Sequence, residues 1–200
     1  MASEPRQRLT IQGYLAFERQ SETRHEYLDG EVFAMSGASR EHNVIAGNVF
    51  GLIWTQFRGR ACEVYKESMR VRTPTDFVAY PDVAALCGEG KFDSSILDTL
   101  LNPTLIVEVL SPSTEDYDRG TKLPHYQCIP SLSDCLLVAQ DRVHVEHYQR
   151  QGNGGWRLAE LDDPAQTLEL ASIGCRLALA EVYEKAFSEQ DSGVSRMALR

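Results

Sequence analysis

Thr104-Leu105-Ile106-Val107-Glu108-Val109-Leu110-Ser111 is an apolar run of strand length with one carboxylate at its centre. Alternation puts Ile106 and Leu110 on the face of Glu108 and Val107 and Val109 on the other. The pattern therefore predicts a strand buried on both sides. An ionised carboxylate in that setting is costly unless a partner or a metal ion compensates it. Working outward, a second acid leads the run Tyr80-Pro81-Asp82-Val83-Ala84-Ala85-Leu86, and Lys122 falls on the next expected helix. Two strand acids and one cation are the minimum equipment for metal-assisted hydrolysis of a phosphodiester.

The chain has 200 residues, 42% hydrophobic and 24% charged, which suits a single globular domain. A core running from about 9 to 187 and a frayed tail over 188–200 are expected. A domain this size buries roughly 70% of its unfolded surface. The N-terminus, Met-Ala-Ser-Glu-Pro-Arg-Gln-Arg, lacks the apolar core of a signal peptide. No apolar run approaches the ~18 residues that span a bilayer, so the cytoplasm is the expected location. Cys62, Cys87, Cys128, Cys135 and Cys175 are odd in number and widely spaced, with no C-x-x-C. Neither a zinc ribbon nor a disulfide framework is indicated, and Cys87 and Cys135 are expected as buried thiols. On a strand, the odd separation of His144 and His147 puts them on opposite faces, which argues against a metal pair.

The net charge of -9 opposes tight, sequence-blind binding to nucleic acid, because neutralising phosphates drives that affinity. A local basic face would have to come from Arg58, Arg60, Lys66, Arg70 and Arg72, joined by Arg19 and Arg24. A solvated rim is the competing reading of the same residues.

Residues 9 to 20 read as a short helix with Thr10, Tyr14, Leu15 and Phe17 on one apolar side. Tyr27 to Met35 reads as a hairpin turning at Asp29-Gly30. Ser39 to Phe57 is the clearest helix: Ser39, Glu41 and His42 mark its start, and Val44, Ile45, Val49, Leu52, Ile53 and Phe57 form one stripe. Strands follow at about 61–67, 69–73, 80–87 and 104–111, with a polar loop over 88–102 that holds a short helix at 95–101. A helix from Thr114 or Asp118 to Gln127 is expected to be shortened or kinked by Pro124. Strands at 136–138, 143–148, 156–161 and 167–170 and a last helix at 179–187 complete the chain. The fold class is α/β, a mixed sheet flanked by helices with a β-rich C-terminal part.

Tyr80-Pro81-Asp82-Val83, then Ile106 to Thr114, then Asp118-Arg119-Gly120-Thr121-Lys122 and Tyr126 resemble the Uma-type putative restriction endonuclease family. That family lies within the PD-(D/E)XK nuclease superfamily. The resemblance begins at Tyr27-Leu28-Asp29-Gly30-Glu31 and Ser36-Gly37-Ala38 and ends near Ala180-Glu181-Val182-Tyr183. It implies a restriction-endonuclease-like core, Mg²⁺ as cofactor with Mn²⁺ as substitute, and DNA as substrate. Asp82 and Glu108 become the metal ligands. Lys122 becomes the catalytic lysine, displaced from the superfamily position two residues after the acid, where this chain has Leu110. Glu31 is a further candidate acid. A second departure, Asp134-Cys135 in place of an acid and an aromatic, concerns core packing. A homodimer follows by analogy with enzymes that cut both strands.

Each assignment has a plainer competitor. Asp82 could be a turn acid, Glu108 could lie on a solvated strand face, and Lys122 could be an i,i+4 partner of Asp118. His42 reads as a capping or amphipathic residue sooner than as a base. The alternative function is a non-catalytic binding or assembly module on the same fold. A third reading is a metal-dependent hydrolase of small phosphates. A serine hydrolase lacks its G-x-S-x-G elbow.

Overall fold

The computed structural model describes residues 8–35, 37–93 and 99–187. The tail over 188–200 lies outside them, as does most of the helix expected at 95–101; its described end, Thr99–Leu100, is not helical but a strand paired with Arg70 and Val71. The N-terminal half runs α1 (Ile11–Glu18), β1 (His25–Leu28), β2 (Glu31–Ala34), α2 (Arg40–Phe57), β3 (Cys62–Lys66) and β4 (Arg70–Arg72). It continues with β5 (Val78–Ala79), β6 (Val83–Cys87), β7 (Thr99–Leu100) and β8 (Leu105–Leu110). Next come α3 (Glu115–Tyr117), a π-helical turn (Asp118–Lys122) and α4 (Leu123–Gln127). Strands β9 (Asp134–Ala139), β10 (Val145–Arg150), β11 (Trp156–Leu161), β12 (Thr167–Leu170) and β13 (Cys175–Ala178) precede α5 (Leu179–Val182).

Six strands form the main sheet in the order β11-β10-β9-β8-β6-β3. It is mixed: β8 runs parallel to β9 and antiparallel to β6. A five-stranded sheet, β2-β1-β5-β4-β7, carries the N-terminal hairpin, and β12-β13 form a pair of their own. All six residues of β8 are buried, as a strand with both faces covered requires. On one face, Val107 and Val109 join the α2 stripe of Ile45, Val49, Ile53 and Phe57. Each fully buried Ile or Val there contributes about 1.5–3 kcal/mol, and Ile53→Ala should destabilise by roughly 2–5 kcal/mol. On the other face, Ile106 and Leu110 cluster with Leu123, Tyr126 and Ile129. That second face is the one Glu108 shares.

Local chemistry explains the element ends. Thr10 caps α1 by accepting from the Gly13 N–H, so it is not part of an apolar side, and Phe17 is exposed. Asp29 and Gly30 both take positive φ, the signature of a tight two-residue hairpin turn. Ser39 Oγ accepts from the His42 N–H at the start of α2. The helix expected at 179–187 stops at Val182. The chain turns there, with Lys185 in the left-handed region.

Two expectations are corrected. Cys87 is exposed and disulfide-bonded to Cys62, its direct partner across β3 and β6. Two cysteines 25 residues apart in sequence give no hint of this, because pairing depends on strand register. Cys135 is the buried thiol expected. The proposed basic face is also largely committed to internal contacts. Arg60 donates to the carbonyls of Ile173 and Gly174, and Arg24 to the carbonyl of Glu67 and to Ser68. Arg72 pairs with Asp76 and Asp93, Arg70 is buried over the Tyr80 ring, and Lys66 lies over Phe50. No helix among the described residues is long and apolar enough to cross a membrane.

Candidate active site

Val83 pairs with Val107, and one further step of the antiparallel register sets Asp82 opposite Glu108. Directly opposed residues share a face, with Cβ atoms about 4.5–5.5 Å apart. Asp82 stands just beyond the last paired residue of β6, so the Val109 N–H of β8 meets no strand backbone there. The Asp82 carboxylate replaces it, accepting from Val109 N–H at 2.7 Å. Its Oδ2 also lies 3.2 Å from Nε2 of His42 on the first turn of α2. Burial works against a charged His42, but the contact with Asp82 outweighs it and holds the imidazole above its ordinary pKa.

Glu108 is 3% exposed. The Tyr126 hydroxyl donates to its Oε1 at 2.6 Å, and the Lys122 ammonium donates to the same oxygen at 3.3 Å. Burial pushes the Glu108 carboxyl up to about 8; Lys122 opposes that, while Asp82, Asp118 and Glu26 add to it. Lys122 is 8% exposed, and its Nζ lies 2.9 Å from Glu26 Oε1 and 3.2 Å from Asp118 Oδ1. Burial alone would lower its pKa. The carboxylates of Glu108, Glu26 and Asp118 reverse that and hold it well above the usual lysine value.

Asp118 and Lys122 open and close a π-helical turn. The Leu123 N–H bonds to the Asp118 carbonyl, five residues back, so the turn is wider than an α-helix. In a regular helix the Pro124 ring would press on the Gly120 carbonyl, and the wider turn relieves that clash. The sequence predicts that Pro124 disturbs this helix, and the disturbance takes the form of this wider turn, on which Asp118 and Lys122 are both buried.

The expected residues fall into place unequally. Asp82, Glu108 and Lys122 lie in one cluster. Glu31 is exposed at the start of β2, opposite Leu28, and the acid of this hairpin that reaches Lys122 is Glu26, opposite Phe33. Both acids lie on the same face of the hairpin, but Glu31 is two residues, about 7 Å, further along it. Asp118 and Tyr126 stand in the sequence motif, and their i,i+4 spacings to and from Lys122 were the available signal. His144 and His147 do face different partners: His147 meets buried Asp134 at 2.6 Å, and His144 meets Glu160 at 3.6 Å. Asp134 is thus tied to a buried polar pair, completed by the Ser172 hydroxyl, in addition to its place in the core.

The donor set can be tested against a hard divalent cation. Asp82 and Glu108 offer only oxygen. Glu26 Oε1 and Asp118 Oδ1 are buried without a hydrogen-bond partner, although both face the Lys122 ammonium as ion pairs. Among the described residues no group of three His, Cys, Asp or Glu side chains is arranged to hold a metal. Mg²⁺ commonly uses one or two carboxylates and keeps several waters. Two acids at one strand pair fit that demand.

Several known proteins are similar to this chain. The uncharacterized proteins slr1290 and sll1609 of Synechocystis sp. are 35% and 36% identical to it. The alignments cover 90% of this chain and 94% of slr1290, and 76% of this chain and 87% of sll1609. A crystal structure from Anabaena variabilis, described as a "putative nuclease belonging to DUF820", superposes with a TM-score of 0.74 at 18% identity. It covers 90% of this chain and 99% of that one, and at this identity the likeness shows a shared fold. The family described as Uma2, "Putative restriction endonuclease", matches residues 11–180. A match of that extent, over the same segment that builds the Asp82–Glu108–Lys122 cluster, means that the chain belongs to the Uma2 family.

Proposed function

We propose that this protein is a metal-dependent DNA endonuclease whose catalytic residues are Asp82, Glu108 and Lys122. The observation that carries the reading is the opposition of Asp82 and Glu108 across β6 and β8, with the Lys122 ammonium 3.3 Å from Glu108. Asp82 and Glu108 would hold Mg²⁺, or Mn²⁺ in its place. Bound there, the ion would supply Lewis acidity toward a phosphoryl oxygen and a more acidic water. The chain's own groups do the rest. The Val109 N–H and His42 fix the orientation of the Asp82 carboxylate. The Tyr126 hydroxyl fixes that of Glu108, leaving its second oxygen free of that bond. Lys122, held cationic by Glu26 and Asp118, offsets negative charge that develops on the phosphate. His42, held protonated to higher pH than a free imidazole, adds a second positive group beside Asp82.

The test is incubation with supercoiled and linear DNA in Mg²⁺ or Mn²⁺. Cleavage is expected for the native chain and loss of cleavage for Asp82→Ala and Glu108→Ala; activity that survives both substitutions would place the site elsewhere. One observation favours a second reading, a non-catalytic binding module: Lys122 is surrounded by three carboxylates, as in a structural ion cluster. Such a module should not take up Mn²⁺, so calorimetric titration of the native chain against Glu108→Ala separates the two. If both strands of a duplex are cut, a homodimer is expected, and light scattering measures it.

A further inference from the structure

Phe33 is 40% exposed on β2, an edge strand, directly opposite Glu26. Glu26 and Phe33 therefore share a face, and Glu26 lies 2.9 Å from the Lys122 ammonium. The Phe33 ring meets the Tyr117 ring with centroids 6.3 Å apart, and Lys122 Nζ lies 5.8 Å from the Tyr117 centroid. An exposed Phe33 backed by a half-buried Tyr117 thus borders the candidate site on the side of its cation. A large apolar side chain left open beside buried charge gains nothing for folding by its exposure. Its geometry suits a flat partner that arrives together with a phosphate.

The charge distribution points the same way. Duplex binding rests on many contacts from cations to backbone phosphates. Here Arg24, Arg60 and Arg72 are committed to internal partners and Arg70 is buried over the Tyr80 ring, in a chain of net charge -9. Stacking on an aromatic ring supplies affinity without that charge, and only an unpaired base exposes the face it needs.

We propose that Phe33, backed by Tyr117, is the stacking platform for an unpaired base next to the phosphate at Lys122, and that the preferred substrate is single-stranded or locally unpaired DNA. The proposal rests on the nuclease reading for the position of the phosphate. Phe33 is a positioning and specificity residue in it.

The experiment measures binding of a short single-stranded DNA carrying 2-aminopurine, and of the blunt duplex of the same sequence, in Ca²⁺. The native chain should bind the single strand at least about 10-fold tighter than the duplex, with quenching of the 2-aminopurine fluorescence by stacking. Phe33→Ala and Phe33→Leu should weaken single-strand binding about 10- to 100-fold, as loss of one base–aromatic stack implies. Phe33→Trp should retain it. Phe33→Leu keeps an apolar group on the strand, so an unchanged melting temperature in that variant shows that folding is not what was lost. Equal affinity of the native chain for both DNAs, or native-like single-strand binding by Phe33→Leu, would overturn the proposal. The nuclease reading is scored separately, by product formation in Mg²⁺. Binding that depends on Phe33 without any cleavage supports the platform and removes the catalysis.

Discussion

Replacing Glu108 with glutamine isolates the electrostatic load at the centre of the site. The amide keeps an oxygen to accept from Tyr126 and Lys122 but has no proton to lose. In the native chain burial and the neighbouring acids hold the Glu108 carboxyl at about 8, against an ordinary 4.5. The unfolded chain ionises this group near the ordinary value, whereas the folded chain does not until about pH 8. Between those limits the folded state binds more protons than the unfolded one, so stability falls as pH rises through the window. It is unaffected below the window and level above it. At 1.36 kcal/mol per pH unit, the full penalty is about 5 kcal/mol, of which about 4 kcal/mol develops between pH 5 and pH 8.5. Glu108→Gln carries no such penalty. Urea denaturation of both proteins in EDTA should give a stability gap, variant over native, that widens by up to about 4 kcal/mol across that range. Saturating Mg²⁺ should narrow the gap by stabilising the native carboxylate alone. A gap constant to within about 0.5 kcal/mol from pH 5 to 8.5 would refute the picture of a buried, acid-crowded Glu108.

Lys122→Met leaves Glu26, Asp118 and Glu108 facing one another without a cation and should destabilise by about 3–5 kcal/mol. Calorimetry should show a fall in Tm of roughly 6–20 °C, and a fall under about 2 °C would mean that the ammonium is not holding the acids together. His42 has a raised pKa in the folded state, so its pairing with Asp82 is fully present below its ordinary value and is lost as pH climbs past the raised one. His42→Ala should therefore destabilise by about 1–2 kcal/mol near pH 5.5 and by less near pH 8.5, read from paired urea curves. Cys62 and Cys87 close a loop of 25 residues, and reduction should lower stability by about 3 kcal/mol on chain-entropy grounds. A Tm unchanged by reductant but lowered by Cys87→Ser would show that packing of the sulfur, and not the cross-link, is what matters.

The parts of this molecule that were legible in sequence are those where one residue's neighbours along the chain decide its environment. The buried strand around Glu108, the capped stripe of α2 and the Asp29-Gly30 turn follow from period, caps and φ preferences. Asp82 and Lys122 could be named because an acid opening a strand and a cation after a strand–turn–helix step are local patterns. What escaped depends on register between distant segments. Glu26 and Glu31 share a face of one hairpin, and only the docking of that hairpin on Lys122 distinguishes them. Cys62 meets Cys87 because β3 pairs with β6 at one particular offset. The arginines of 58–72 read as a basic surface in sequence because all their partners but Asp76, namely Asp93, Ile173 and Gly174, lie far away along the chain.

The wide turn over Asp118–Lys122 has a bearing on how this chain tolerates changes in length. A regular helix advances 100° per residue, so the extra residue held in that turn sets the angle at which everything before it meets everything after it. Deleting Gly120 would tighten the segment toward an ordinary α-helix of better intrinsic propensity; Asp118 and Lys122 would then be i,i+3 neighbours on one face, so the change falls on how the segment before the turn meets α4. Regularising helices is a common route to more stable proteins, yet here it would shift the segment that carries Asp118 against the strand that carries Glu108. Among relatives, a one-residue gain or loss between Asp118 and Lys122 therefore signals a rebuilt centre, whereas the same change in the Gly152–Gly155 hairpin loop is only a longer or shorter turn.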